Sequence, residues 1–324
     1  MSVTFHRIFW FLFLLSHLTL AQPVSQEASW AIVIHGGAGA NASDMTADEL
    51  ADVEKALAEC LELGAEFLEQ GGEAMDCVEL VVRALEDCPQ FNAGKGAVLN
   101  ASGEHELDAS IMDGRDLSCG AVASVRTVKN PVSLARLVLK KTRHVLLAGQ
   151  GAEEFATECE VERVPNSYFT TPKRMEDWEK RQSYSKSTVG CVALDQNGNL
   201  AAATSTGGLT NKKWGRIGDS PIVGAGCYAD NSSCAVSCTG TGEEFIRRAI
   251  AYDVGARMKY GEDSLQGAAR KTLASLPAGG GGLIAVDGAG RMVALFNTPG
   301  MSRGEADSNG TFRIGVGKIW KRLK

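Results

Sequence analysis

Two apolar hairpins constrain this chain most. Thr188 opens the run Val189-Gly190-Cys191-Val192-Ala193-Leu194, which ends at the turn Asp195-Gln196-Asn197-Gly198 and returns as Leu200 to Thr206. A similar unit recurs near the end: Gly282–Val286, the turn Asp287-Gly288-Ala289-Gly290, then Met292–Phe296. Short runs of this kind around a glycine-containing turn read as β-hairpins. All four strands are apolar on both faces, so each hairpin must be covered on both sides. With helices at the ends of each half, the pattern predicts an α+β protein, with two sheets sandwiched between helix layers. The alternative from pattern alone is a doubly wound parallel sheet.

Trp30 to Ile34 reads as a buried strand running into the glycine-rich turn His35-Gly36-Gly37-Ala38-Gly39. That turn lacks both the Gly-Lys-Ser/Thr of a P-loop and the GxGxxG spacing. Thr46-Ala47-Asp48-Glu49 is a capping box, followed by apolar residues at helical spacing from Leu50 to Leu68. A second helix carries Ala74, Val78, Val81, Val82 and Leu85, and Pro89 stops it. Strands are expected after the loop at Phe91-Asn92-Ala93-Gly94, at Glu106 to Met112 and at Gly120 to Val125. Asn130-Pro131 starts a helix, and Val145–Leu147 and Ala152–Cys159 read as a short strand and another helix. Glu160 to Ser187 has little periodicity and reads as a polar linker. Thr241-Gly242-Glu243-Glu244 is a second capping box, starting a stripe from Phe245 to Met258, and Leu265 to Leu276 is a further helix.

The N-terminus stands apart. His6 and Arg7 precede the apolar run Ile8 to Leu15, and Ala21 supplies a small residue for cleavage, as in a secretory signal over residues 1–21. The alternative is an uncleaved anchor. A secretory-pathway destination is the expectation, with the lysosome or vacuole as the variant. The odd count of nine cysteines leaves at least one thiol free, while Cys227, Cys234 and Cys238 are close enough for one disulfide. Asn41, Asn100, Asn231 and Asn309 each begin a glycosylation sequon. The net charge of −6 gives no reason to expect nucleic acid or an acidic membrane as partner.

The chemistry centres on Thr188. A threonine hydroxyl needs a nearby base, and an α-amino group, with an ordinary pKa of about 8, can be that base. A cut between Ser187 and Thr188 would put both on one residue; the plain alternative is that Thr188 only opens a buried strand. His35 is either a base or a structural histidine. The hairpin return brings Thr204 to Gly208 back beside residue 188, so Thr206 can bond the nucleophile. Arg216 and Asp219 form a pair suited to the carboxylate and ammonium of a free amino-acid head. Thr239 and Gly240, ahead of a helix N-terminus, suit an oxyanion hole. Asn92 can donate its amide to the nucleophile region or to substrate. Cys191 or Cys238 as the nucleophile is a third catalytic option.

These motifs together resemble the plant-type L-asparaginase / isoaspartyl peptidase family of N-terminal-nucleophile hydrolases. They are His35 to Gly39, Phe91 to Gly94, Asp108 to Gly114, the Thr188 strand, Thr204 to Gly208, Gly215 to Asp219 and Thr239 to Gly242. The resemblance implies an αββα sandwich made as one precursor and self-cleaved into an α subunit (22–187) and a β subunit (188–324), together one catalytic domain. It implies attack by Thr188 on the side-chain amide of L-asparagine or on the bond after an N-terminal isoaspartyl residue. By the same resemblance Thr206 assists, Arg216 and Asp219 hold the substrate, and Gly242, Asn92 and Gly208 shape its site. Thr239 and Gly240 would form the oxyanion hole. No cofactor is required; a structural sodium ion is implied on the carbonyls of Leu85, Glu86, Cys88, Phe91, Ala93 and Lys95. The implied assembly is a dimer of αβ units. Ser187 departs from the family's usual Gly or Asp before the nucleophile, and the signal-like start is shared with glycosylasparaginases, the near alternative. A catalytically silent secreted binding protein on the same scaffold is the reading from another class.

Overall fold

The computed structural model describes Met1 and residues 28–39, 41–180 and 187–323. The signal-like segment beyond Met1 and residues 181–186 of the polar segment lie outside the described residues. In chain order the first half contains β1 (Ala31–Ala38), α1 (Ala47–Glu69), α2 (Ala74–Glu86), β2 (Leu107–Asp113) and β3 (Cys119–Val125). It continues with α3 (Pro131–Lys141), β4 (Leu146–Ala148), α4 (Gly149–Glu158) and α5 (Pro172–Glu179). The second half opens with β5 (Val189–Leu194), β6 (Leu200–Thr206), β7 (Cys227–Ala229) and β8 (Cys234–Gly240). Next come α6 (Gly242–Arg248), α7 (Ile250–Gly261), α8 (Leu265–Ala274), β9 (Gly281–Asp287) and β10 (Met292–Phe296). Three strands close the chain: β11 (Met301–Asp307), β12 (Phe312–Gly315) and β13 (Lys321–Arg322).

These elements form four layers. A nine-stranded sheet runs β13-β12-β11-β1-β5-β6-β2-β3-β4, antiparallel except for the β3–β4 pair. A four-stranded sheet runs β10-β9-β8-β7. Helices α1, α2 and α3 cover one face of the larger sheet, where Leu57, Leu61, Val78, Val82 and Leu85 pack on Ile32, Ile34 and Val189. Between the sheets lie Val33, Val192, Ala202, Ala235, Ile284 and Val286. The outer face of the smaller sheet is closed by Phe245, Ile250, Val254, Leu265 and Leu273. Strands buried from both sides are why the two hairpins lack polar alternation. The sandwich is therefore αββα, and the parallel alternative is excluded by the antiparallel ladders.

Several expectations change. The turn at His35 to Ala38 is the end of β1 itself, continued past a bulge between His35 and Gly37. Residues 160–180 are not a loose linker: α5 lies within them and is capped by Thr171. Phe169 is buried, and Trp178 Nε1 donates to the Asn100 carbonyl at 2.8 Å. The stripe from Phe245 to Met258 is two helices, broken at Ala249 with φ 47° and ψ 51°. Thr241 is the cap residue of α6 but its side chain makes no capping bond, whereas the Thr46–Glu49 box is complete. All nine cysteines are free thiols, so the expected pairing among Cys227, Cys234 and Cys238 is absent. Asn100 is buried and its Oδ1 accepts from the Ser102 and Glu104 amides, which removes that sequon from the surface. Among the described residues no helix is long and apolar enough to cross a membrane.

Candidate active site

Thr188 sits one residue ahead of β5, near the middle of the nine-stranded sheet, and is only 7% exposed. The β5–β6 hairpin places Val189 opposite Ser205, which brings Thr206 beside Thr188. The Thr188 hydroxyl donates to Thr206 Oγ1 at 3.1 Å, and that oxygen also accepts from the Gly208 amide at 3.0 Å. Thr206 Oγ1 in turn lies 3.4 Å from the Ser187 carbonyl oxygen. Asn92 completes the group. Its Nδ2 donates to the Ser187 carbonyl at 2.7 Å and to the Gly208 carbonyl at 2.8 Å, while its Oδ1 accepts from the Val98 amide at 2.8 Å. Both amide hydrogens are thus spent within the protein, so Asn92 belongs to the nucleophile region. Two donors converge on the Ser187 carbonyl oxygen, in a site largely closed to water, where such bonds are strongest. Ser187 is anchored too, its hydroxyl donating to the Gly36 carbonyl at 2.7 Å. The bulged end of β1 makes room for it: a Cβ on Gly37 would lie 2.1 Å from Ser187 Oγ.

A second group stands on the loop after β6. The Arg216 Nε and Nη2 form a fork on the Glu243 carboxylate, both at 2.9 Å. Asp219 is buried, and its Oδ2 has no hydrogen-bond partner among the described residues. Burial pushes its carboxyl up to about 7, only partly offset by its own backbone amide and by Arg216. Gly242, at the start of α6, is pressed against both: a Cβ there would lie 2.8 Å from Asp219 Oδ1 and 2.9 Å from Arg216 Nη2. A buried carboxylate without a cation is a costly group. A ligand ammonium would satisfy it, and the Nη1 side of Arg216 is left for a ligand carboxylate. The two groups meet through Gly226, whose carbonyl oxygen lies 3.2 Å from Thr204 Oγ1 and on which a Cβ would stand 2.5 Å from the Asp219 carbonyl oxygen.

Thr239 and Gly240 end β8 and stand immediately ahead of Thr241, the cap residue of α6. The Thr239 Oγ1 accepts the Ala38 amide at 3.1 Å, which ties β8 to the end of β1. The loop holding the expected sodium carbonyls is folded tightly on itself: the Glu86 carbonyl accepts from Lys95 N at 2.7 Å and the Cys88 carbonyl from Phe91 N at 3.4 Å. Each of these oxygens keeps a second lone pair, and an all-oxygen set suits a hard cation. Leu85, Phe91 and Ala93 are buried around the same turn. Among the described residues no cluster of three or more His, Cys, Asp or Glu side chains could hold a metal ion.

The cysteine alternative does not fit. Cys191 and Cys238 are fully buried, and burial drives both thiols well above their ordinary range, so neither supplies a thiolate. His35 does not fit the role of base, because burial pushes its pKa down to about 3. Sequence reasoning gave Ser237 no role of its own, and it read Glu243 only as an interior position of the Thr241–Glu244 capping box, not as the partner of Arg216.

Four layers with a threonine at the head of a central strand define the N-terminal-nucleophile hydrolase scaffold. The chain belongs to the asparaginase family of hydrolases, whose family model matches residues 28–187 and 180–316. It is 49% identical over 307 residues to the isoaspartyl peptidase of Salmonella typhimurium, covering 87% of this chain and 98% of that one. It is 42% identical to a probable isoaspartyl peptidase/L-asparaginase 2 of Arabidopsis thaliana, covering 89% of this chain and 98% of the relative. The isoaspartyl peptidase/L-asparaginase of Mus musculus is also 42% identical, with 92% and 94% covered.

Proposed function

We propose that this chain is a self-cleaving isoaspartyl peptidase and L-asparaginase with Thr188 as its nucleophile. The observation that carries the reading is the Ser187 carbonyl, which faces Asn92 Nδ2 at 2.7 Å while the neighbouring Thr188 hydroxyl donates to Thr206. In self-cleavage the Thr188 oxygen attacks the Ser187 carbonyl carbon, with Asn92 and Thr206 as donors to the developing oxyanion. The C–N bond breaks, the nitrogen takes the proton given up by the Thr188 hydroxyl to become an amine, and water hydrolyses the resulting ester to leave a Ser187 carboxylate and restore the hydroxyl.

In turnover the freed amine takes the hydroxyl proton, and Thr188 attacks the side-chain carbonyl of asparagine or of an isoaspartyl peptide. Ammonia or the shortened peptide leaves with that proton, and water releases aspartate from the Thr188 ester. Arg216 and Asp219 hold the α-carboxylate and α-ammonium, Gly242 and Gly208 line the head group, and the Thr239 hydroxyl with the Gly240 amide receives the oxyanion. The carbonyls of Leu85, Glu86, Cys88, Phe91, Ala93 and Lys95 would hold a sodium ion, whose part is to stiffen the loop carrying Asn92. The αβ unit acts as a dimer, in a secretory compartment entered through the leading segment.

Intact mass and N-terminal sequencing of wild type beside Thr188→Ala test this. Two fragments, the smaller starting Thr-Val-Gly-Cys, with the variant whole and unable to release ammonia or aspartate, are expected. A whole, inactive wild-type chain would mean a silent scaffold.

A further inference from the structure

His35 has no part in the chemistry above, yet it reaches the nucleophile. It lies on β1 opposite Gly190 of β5 and is fully buried. Its Nδ1 is 2.8 Å from the Thr188 carbonyl oxygen, and its Nε2 is 2.9 Å from Ser237 Oγ on β8. Ser237 Oγ lies 2.7 Å from Thr204 Oγ1 on β6. A carbonyl oxygen only accepts, so Nδ1 carries the hydrogen. The ring is neutral because burial outweighs the raising effect of the Thr188 bond. Nε2 is therefore an acceptor, the Ser237 hydroxyl donates to it, and Thr204 donates to Ser237. The Thr188 carbonyl thus sets the tautomer of His35, and two hydroxyls, one from each sheet, complete the chain behind it.

This contact crosses β5 at a residue without a side chain. A Cβ on Gly190 would stand 2.0 Å from Ser237 Oγ and 2.5 Å from His35 Nε2. Gly190 pairs with His35 on one side and Thr204 on the other, so one row of three strands forms the floor of the crossing. The surrounding inter-sheet layer is aliphatic, which makes a fully satisfied polar crossing there a specific arrangement.

The ladder pairs of β5 begin at Val189 with β6 and at Gly190 with β1, so the Thr188 carbonyl lies at their edge. In a chain-terminal residue, rotation about the Cα–C bond swings amine and hydroxyl together. A bond to the carbonyl fixes the peptide plane, and with it the axis about which both groups turn, while the Thr206 contact holds the hydroxyl at its angle. We propose that His35 is the positioning residue of the nucleophile: through the Thr188 carbonyl it fixes the peptide plane from which residue 188 presents its hydroxyl and amine, and Ser237 and Thr204 anchor the far side of the imidazole. This rests on the reading of Thr188 as nucleophile.

Two side-chain amides separate the two ends of the ring. His35→Asn places an amide N–H near the Nδ1 position and abandons Ser237. His35→Gln reaches the Nε2 position and leaves the Thr188 carbonyl without a donor. The readouts are the self-cleavage half-time, the melting midpoint, and kcat and KM for asparagine after cleavage. His35→Gln is expected to slow cleavage and lower kcat by about 100-fold with little change in KM, the scale of a 1 Å misplacement. His35→Asn recovers at least roughly tenfold of that loss. Ser237→Ala, which removes only a hydroxyl, lowers kcat about 3- to 10-fold at constant KM. Equal losses in the Asn and Gln variants, tracking their melting midpoints, would reduce His35 to a core hydrogen-bonding residue and overturn the proposal. If neither variant folds, Ser237→Ala decides: wild-type kcat overturns it, and the kcat loss at constant KM supports it. A wild type that is never cut, with Thr188→Ala indistinguishable from it, removes the nucleophile reading and this proposal together.

Discussion

Asp219 concentrates the electrostatics of the site in one residue. Its carboxyl titrates near 7 because it is buried, so the fold favours the protonated form. The contribution to stability is present below the ordinary 3.8 and is lost as pH rises through about 7, each unit of displacement being worth about 1.4 kcal/mol. Asp219→Asn should therefore gain melting temperature relative to wild type at pH 8 and not at pH 4, which calorimetry at the two values checks. The same ionisation governs binding with the opposite sign. Only the carboxylate holds an ammonium, so KM for asparagine should rise as pH falls below about 7, and the Asn variant should lose kcat/KM on the order of 10- to 100-fold. Glu243 holds the Nε–Nη2 edge of Arg216. Glu243→Gln should raise KM about 3- to 10-fold with kcat nearly constant, as expected when uniform binding is loosened; an unchanged KM would remove Glu243 from the site. Thr188, Thr206, Asn92 and Asp219 were legible because glycine-punctuated motifs surround them. Glu243 was hidden because it is an interior position of the expected Thr241–Glu244 box, and its partner Arg216 is 27 residues away in the chain. Ser237 gave no signal, because its importance lies in a contact across two sheets.

Among the elements, the amphipathic helices and the tight hairpins were readable from period and turn chemistry alone. α1 begins at its capping box, and β5–β6 and β9–β10 pair in the register their turns dictate. The strands β8, β11 and β12 were not readable, since their runs carry Ser, Thr, Gly, Arg and Glu that only tertiary partners satisfy, and β7 is only three residues long. Arg303 on β11 is the extreme case: it is buried between the rings of Phe296 and Trp320 and donates to the Met301 and Gly317 carbonyls. The break between α6 and α7 was equally invisible, as the apolar stripe runs through it. Ala249 there adopts a left-handed conformation that costs a residue with a Cβ about 1–2 kcal/mol. Glycine removes that cost and gives back roughly 0.5–1 kcal/mol through the freer unfolded chain. Ala249→Gly should therefore raise the melting midpoint by about 1–2 °C, measurable by calorimetry. A lower midpoint would show that Ala249's methyl packs more than it strains.

At the scale of the whole molecule, the two halves on either side of Thr188 are interleaved in one sheet. Strands β1 to β4 come from the first half, and β5, β6 and β11 to β13 from the second. The order β11-β1-β5-β6-β2 joins them along three seams, β11–β1, β1–β5 and β6–β2. After cleavage the two pieces should co-elute in native gel filtration and part only in denaturant; separation in native buffer would contradict the topology. The four layers were foreseeable from hairpins apolar on both faces. The strand order was not, because pairing between distant segments leaves no local mark. That interleaving also sets an order of events. The Ser187 carbonyl meets Asn92 and Thr206 only when strands from both halves already lie side by side, so under the proposed self-cleavage a copy that has mispaired its sheet would keep its peptide bond and never gain a reactive amine. Under that proposal assembly of the sheet acts as a licence: catalytic competence would be issued chain by chain, and only to those that have finished folding.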